Sequence, residues 1–172
     1  FPVQDYYARA GFDFSRHSFD ALANHFMEDY IPASASCPLM SGAKQTLDAF
    51  SAAGLHQVIL SASPITTLQR QVEERDVTRY FDRLLGLGDI YAKSKVALGL
   101  AYLQEAGFDP SRAVMIGDTT HDFEVAQALG VHCVLQSGGH QPPETLHRTG
   151  AVVVPGLPEA ADFILRSVGN NV

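Results

Sequence analysis

A chain of 172 residues is long enough for one proper hydrophobic core with a small appendage, so folding requires neither a disulfide framework nor a metal staple. Its 12 Lys and Arg stand against 19 Asp and Glu, a formal net charge of −7. No basic run offsets the acids, which argues against nucleic acid or an anionic membrane surface as partner and for small molecules.

Only Cys37 and Cys133 are present, without metal-ligand spacing, and both are expected to be small buried apolar residues of a protein in a reducing cytoplasm. No apolar stretch approaches the ~20 residues needed to cross a bilayer. The N-terminus has no basic-then-apolar signal pattern. The expected location is cytoplasmic. The chain opens on Phe1-Pro2-Val3, without Met and already inside ordered-looking aromatic sequence, as a processed chain or a fragment would.

Residues 1–38 are aromatic and acidic. Phe19, Leu22, Phe26 and Tyr30 recur at helical spacing, which predicts a helix over 18–30 with Ser18 as N-cap and its aromatic stripe used for packing. From Ile31 the small residues of "IPASASCPLMSGA" predict a linker. The chain then alternates. "SGAKQTLDAFSAAG" reads as a helix between an N-cap Ser41 and a terminal Gly54. "HQVIL" is a strand ending at Ser61, and "PITTLQRQVEERD" a helix with Pro64 in its first turn. "RLLGL" reads as a strand, and "SKVALGLAYLQEAG" as a helix over 94–107. "RAVMIGD" and "VHCVLQS" are strands around a helix bearing Phe123, Val125, Ala126 and Leu129, and "AVVVP" is a last strand before a helix starting near Pro158. Strands alternating with helices of this length imply right-handed crossovers and a mostly parallel sheet covered on both faces.

Ligands of such sheets bind beyond the carboxyl ends of the strands. Ser61 and Ser63 follow "HQVIL" at a helix start, where a hydroxyl beside free backbone N–H groups suits a phosphate, although both could equally be caps. After "RLLGL" come Lys93, Ser94 and Lys95, and a Lys at a helix start opposes the dipole, so an anion should compensate it. After "RAVMIG" come Asp118 and Asp122, with Glu124 close behind. Gly117 lets the backbone pass close to a ligand. Paired carboxylates completed by water and phosphate oxygens are what Mg²⁺ takes. His121 is expected to be a loop residue rather than a catalyst, Thr119 and Thr120 to be plain loop residues with a contribution of hydroxyls or amides as the alternative, and the "SGGHQ" loop with His140 either to reach the pocket rim or to be a glycine turn with an exposed His.

This set resembles the haloacid dehalogenase superfamily of phosphatases, more closely its phosphoglycolate-phosphatase-like members with a helical cap. In that family an Asp-x-Asp strand supplies a nucleophile and a general acid. A Ser or Thr after the next core strand, a Lys and a Gly-Asp-x-x-x-Asp motif follow in order. "VILSAS" looks like the second motif and "GDTTHD" matches the last. The resemblance implies a Rossmann-like, three-layer α/β core over 39–172 lacking its first strand, preceded by the C-terminal part of a helical cap over 1–38. It implies Ser61 and Lys95 as catalytic groups, with Ser61, Ala62 and Lys95 holding the substrate phosphate. Asp118 and Asp122 would hold Mg²⁺, Asp122 directly, through water, or by orienting Asp118. Lys93 precedes Asp118 by the family's more usual interval, whereas Lys95 opens the helix behind its Ser94 cap and is preferred.

No Asp-x-Asp stands anywhere before Ser61. The expected function is therefore Mg²⁺-dependent hydrolysis of a small phosphorylated metabolite by a protein of which this chain is a truncated form, inactive alone. The alternative is a catalytically silent binding module of the same fold. A receiver-like signalling domain is disfavoured by the order Ser, Lys, acid pair. In the family the first-motif strand lies between "HQVIL" and "AVMIG". Because buried backbone groups rarely stay unpaired, those strands should pair directly, borrow a strand in a strand-sharing dimer, or receive one from upstream; otherwise the chain is expected to be a monomer.

Overall fold

The computed structural model describes residues 7–16, 18–88 and 94–169. The chain divides into two compact units, Phe1–Pro38 and Leu39–Val172.

In the first unit, helix α1 spans Phe19–Ala35, and the Ser18 side chain caps it by accepting from the Ala21 N–H at 3.2 Å. The helix overruns the expected stop by five residues, so the linker begins at Ser36 rather than Ile31. Pro32 removes one backbone donor from the helix interior. Hydroxyls occupy carbonyls of the last turn instead: Ser34 donates to Ile31 O at 2.9 Å and Ser36 to Ala33 O at 2.8 Å. The expected packing of the aromatic stripe is not seen along α1, where no residue is buried and Phe26 and Tyr30 stack on each other at 5.5 Å in exposed positions. Tyr7 and Phe14 instead meet Phe19 edge-on, each at 6.0 Å. Cys37 is exposed and Cys133 half-buried, correcting the expectation that both are buried. Cys37 lies just past the helix end, with its Sγ 3.6 Å from Ala33 O.

The second unit alternates as expected: α2 (Ala43–Ala52), β1 (Val58–Pro64), α3 (Ile65–Glu74), β2 (Arg83–Leu87), α4 (Lys95–Ala106), β3 (Val114–Gly117), α5 (Thr120–Leu129), β4 (His132–Gln136), α6 (Pro143–His147), β5 (Val152–Val154) and α7 (Leu157–Gly169). The short α6 is an addition to the expected set. The N-cap of α2 is Gly42, at φ 76°, not Ser41. A side chain there would also strike the ring of Pro158. Helix α4 begins and ends as its sequence suggests, with Ser94 Oγ accepting from the Ala97 N–H at 3.2 Å and Gly107 closing it in the left-handed region. Among the described residues no helix is long and apolar enough to cross a membrane.

All strand pairs are parallel, but the strands form two sheets. β1 pairs with β2 from Val58–Arg83 to Leu60–Leu85, with an irregularity before Pro64–Leu87. β3 pairs with β4 from Val114–His132 to Gly117–Leu135, and β4 with β5 from Val134–Val152 to Gln136–Val154. Helices tie the halves together. On α2, Leu47 joins the cluster of Leu68, Val72, Val77 and Tyr80, while Phe50, three residues on, joins that of Val134, Ala160, Ala161 and Ile164. α4 lies against β1 and β2 and packs on α5, which covers β3 and β4. Their approach is close enough that a Cβ on Gly99 would sit 2.7 Å from Leu129 Cδ1.

β1 and β3 do not pair with each other, so direct pairing, one of the three expected arrangements, does not occur. Each has a ladder on one side only among the described residues. No residue of β1 is buried and Val114 of β3 is exposed, whereas Val134, Leu135 and Gln136 of β4, paired on both sides, are buried.

Candidate active site

Among the described residues, Asp118 sits at the carboxyl end of β3, and Lys95 and Asp122 lie on the helices that follow β2 and β3. Ser61 lies inside β1, which runs three residues beyond the expected end. Its Oγ accepts from the Ser63 N–H at 3.1 Å, a capping-type bond that leaves the hydroxyl proton free to donate elsewhere. Ala62 is exposed between them. Gly86 on the neighbouring strand is buried, and a Cβ there would come within 2.7 Å of Ile65 Cα, so glycine lets β2 run tight against the β1–α3 junction.

Lys95 is the first residue of α4, and the anion demanded by its position against the helix dipole is Asp122. Nζ donates to Asp122 Oδ1 at 2.8 Å, with the side chains 19% and 11% exposed. Lys93 lies outside the described residues.

Asp122 is engaged at both oxygens. It is the third residue of α5, and its Oδ2 accepts from the Asp118 N–H and the Thr119 N–H, each at 3.2 Å, and from the Thr119 hydroxyl at 2.8 Å. Thr119 Oγ1 in turn accepts from the Asp122 N–H, completing a capping box. With Lys95 on Oδ1, the carboxylate receives four hydrogen bonds, three of them crowded on Oδ2. Burial pushes its pKa up, but the bonds from Lys95 and Thr119, the Lys95 charge and the Asp118 amide outweigh this and hold the carboxyl below its ordinary range. A Cβ at Gly117 would overlap the Asp122 side chain, 2.7 Å from Cγ. Glycine is required there to make room for Asp122.

Asp118 is open. Its Oδ2 accepts from the His140 N–H at 2.9 Å, and among the described residues Oδ1 accepts no hydrogen bond. The side chain is 32% exposed. The loop after β4 therefore reaches this carboxylate, but by its backbone: the His140 imidazole is 90% exposed, with Nδ1 3.7 Å from Oδ2. Glu124 does not join the other two acids; its carboxylate meets His121 at 3.2 Å on the exposed side of α5. Thr120 contributes its N–H, donated to Gln141 Oε1 at 2.7 Å. No three or more His, Cys, Asp or Glu among the described residues form a group that could hold a metal ion. A cation here would rest on Asp118, with water and phosphate oxygens as the remaining ligands, the partial protein shell that Mg²⁺ commonly accepts.

Sequence reasoning offered the "SGGHQ" loop for the pocket rim but missed the Gln141 side chain as a contact. The one local signal was a pair of glycines and a polar run just after a strand end.

Residues 5–136 match the family model described as haloacid dehalogenase-like hydrolase. A probable phosphoglycolate phosphatase of Pseudomonas putida is 27% identical over 135 residues, 77% of this chain and 53% of that protein. Phosphoglycolate phosphatase 1 of Pseudomonas aeruginosa is 28% identical over 117 residues, 67% of this chain and 43% of that protein. The chain thus spans about half the length of the curated relatives it matches. Among solved structures, a predicted phosphatase from Clostridium acetobutylicum superposes with a TM-score of 0.79 at 19% identity, over 95% of this chain and 76% of that one. A predicted phosphoglycolate phosphatase from Haemophilus somnus gives 0.75 at 18%, over 94% and 72%. At these identities the structural likeness establishes the Rossmann-like α/β fold.

Proposed function

The chain belongs to the haloacid dehalogenase-like hydrolases, and from that membership we propose that it carries the charge-balancing part of a phosphomonoesterase site for a small phosphorylated metabolite of the phosphoglycolate type. The observation that carries this reading is the division of labour between the two acids. Asp122 is spent on Lys95 and the loop amides, and Asp118 keeps an oxygen open.

In this reading Ser61, with the Ala62 backbone beside it, donates to a phosphoryl oxygen. Lys95, held through one of its three N–H groups, offers the others to the phosphate. Asp118 holds Mg²⁺, which would offset phosphate charge during transfer. Asp122 acts by fixing Lys95 and the Asp118 amide, the orienting role among those the sequence left open for it. Such positioning and neutralisation lower a phosphoryl-transfer barrier without themselves attacking phosphorus.

The attacking carboxylate is the part this sequence does not contain, since no Asp-x-Asp occurs in it. That β1 and β3 are partly exposed and each paired on one side only among the described residues supports a further strand joining them, delivered from upstream sequence or by a second copy, with residues 1–38 as part of a cap. Without that strand the chain should be inactive. The test is phosphate release from p-nitrophenyl phosphate and phosphoglycolate with Mg²⁺, comparing this chain, an upstream-extended chain and Asp118→Ala in the latter. Turnover is expected only from the extended chain and should vanish with Asp118→Ala. Turnover by the short chain that Asp118→Ala abolishes would overturn the missing-nucleophile argument. Inactivity of the extended chain on a broad phosphate panel would favour the silent binding module.

A further inference from the structure

The loop at 137–141 makes two contacts that packing alone does not require. Both end at the acid loop rather than in the core. The His140 N–H donates to Asp118 Oδ2 at 2.9 Å, and Gln141 Oε1 accepts from the N–H of Thr120, the first residue of α5, at 2.7 Å. The Gln141 side chain thereby caps, from across the fold, a helix start that Thr119 has already capped locally. The loop backbone runs so close to Asp118 that a Cβ on Gly139 would overlap its carboxylate, 2.7 Å from Cγ. The loop's own root is pinned by buried Gln136, whose Oε1 accepts from the Gly138 N–H at 2.9 Å.

We propose that the β4–α6 loop is a positioning clamp for the Asp118 carboxylate, in which Gln141 fastens the loop to α5, Gly139 permits the approach, and the His140 amide holds Oδ2 so that Oδ1 is presented to a divalent cation. The proposal rests on the reading of Asp118 as a cation-binding carboxylate. It adds that Asp118 is aimed by three residues some twenty positions later in the chain. A free aspartate samples several rotamers and must be ordered when a cation arrives; a carboxylate already held by one oxygen has lost much of that freedom beforehand. Groups that orient ligands in this way are commonly worth about 10- to 100-fold in metal affinity.

The clamp and the metal reading are tested separately on the whole chain. Amide hydrogen exchange followed by NMR examines the clamp without metal. The His140 and Thr120 amides are expected to be protected, with His140 losing protection in Asp118→Ala and Thr120 losing it in Gln141→Ala. Free exchange of both amides in the unsubstituted chain would overturn the clamp whatever the metal does. Mn²⁺ binding followed by electron paramagnetic resonance examines the consequence. Gly139→Ala and Gln141→Ala are expected to weaken Mn²⁺ by about tenfold or more at unchanged far-UV circular dichroism. Gln141→Glu, which keeps an acceptor for Thr120 and suits the helix dipole, is expected to restore affinity. Loss of Mn²⁺ binding in His140→Ala, which keeps the amide, would make the imidazole the ligand and overturn the clamp. Mn²⁺ binding indifferent to Asp118→Ala would refute the metal reading and this inference with it, even with both amides protected.

Discussion

Removing Asp122 should cost more stability than removing any exposed acid of the chain, and the structure sets the scale. Asp122→Ala leaves the Lys95 ammonium, 19% exposed, without its anion, and strands the Asp118 and Thr119 amides and the Thr119 hydroxyl. Breaking a fully buried pair costs about 3–5 kcal/mol. The pair here is slightly open to water, which can reach the stranded donors, so about 2–4 kcal/mol is expected. For a unit of this size that is a fall in Tm on the order of 10 °C. Asp122→Asn keeps the shape and one acceptor but sets an amide donor or a neutral oxygen against Lys95, and should cost about 1–2 kcal/mol. Urea unfolding of the single variants, of Lys95→Met and of the double variant gives the coupling, expected at about 1–3 kcal/mol. A loss below about 0.5 kcal/mol for Asp122→Ala, or strict additivity with Lys95→Met, would refute the claim that this pair organises the acid loop.

The same pair has a pH signature. The Asp122 carboxyl is held below its ordinary range in the folded protein, so the unfolded chain binds the proton first as pH falls. Its contribution is fully present above the unfolded value of about 3.9. It fades as pH drops through the folded value beneath that. The stability difference between the unsubstituted chain and Asp122→Asn should therefore be constant near neutrality and shrink below pH of about 4. A difference that grew on acidification would give the wrong sign.

Thiol chemistry and strand burial supply two more tests. The Cys133 thiol is pushed up to about 11, chiefly by burial and further by the nearby Asp122 charge, whereas Cys37 is exposed. Iodoacetamide at pH 7.5 should label Cys37 in the folded chain and reach Cys133 only on unfolding, as read by peptide mass mapping. Leu135 of β4 is 0% exposed and Leu60 of β1 only half-buried, so Leu135→Ala should cost about 2–5 kcal/mol in urea and Leu60→Ala less than half of that. Equal costs would mean that β1 is packed like an interior strand in this chain.

What the sequence made legible follows the reach of the interactions involved. The ends of α4 could be read because Ser94 and Gly107 act within one turn of themselves. The overrun of α1 through Pro32 could not, because proline and a run of small residues usually stop a helix, and the serine-to-carbonyl bonds that accompany this one depend on rotamers. The Lys95–Asp122 pair was half legible. A Lys at a helix start implies an anion, but which of two acids provides it depends on how α4 lies on α5. His140 and Gln141 act across more than twenty residues through a backbone amide and a side-chain carbonyl, and neither contact leaves a spacing rule behind.

The acid pair itself shows why spacing alone does not assign roles. An aspartate just ahead of an N-cap and another four residues later can be two ligands for one cation. They can equally be a lone acid followed by half of a capping box, since the later carboxylate folds back onto the amides at the helix start. Thr119 between them fits both accounts. The environment decides. Around Asp122, Lys95 and three loop donors engage both oxygens, and the absence of a side chain at Gly117 makes the space for it. Around Asp118 a single amide holds one oxygen, the other accepts no hydrogen bond among the described residues, and the side chain is 32% exposed. Two chemically identical side chains four residues apart therefore differ in how much of their acceptor capacity is already used.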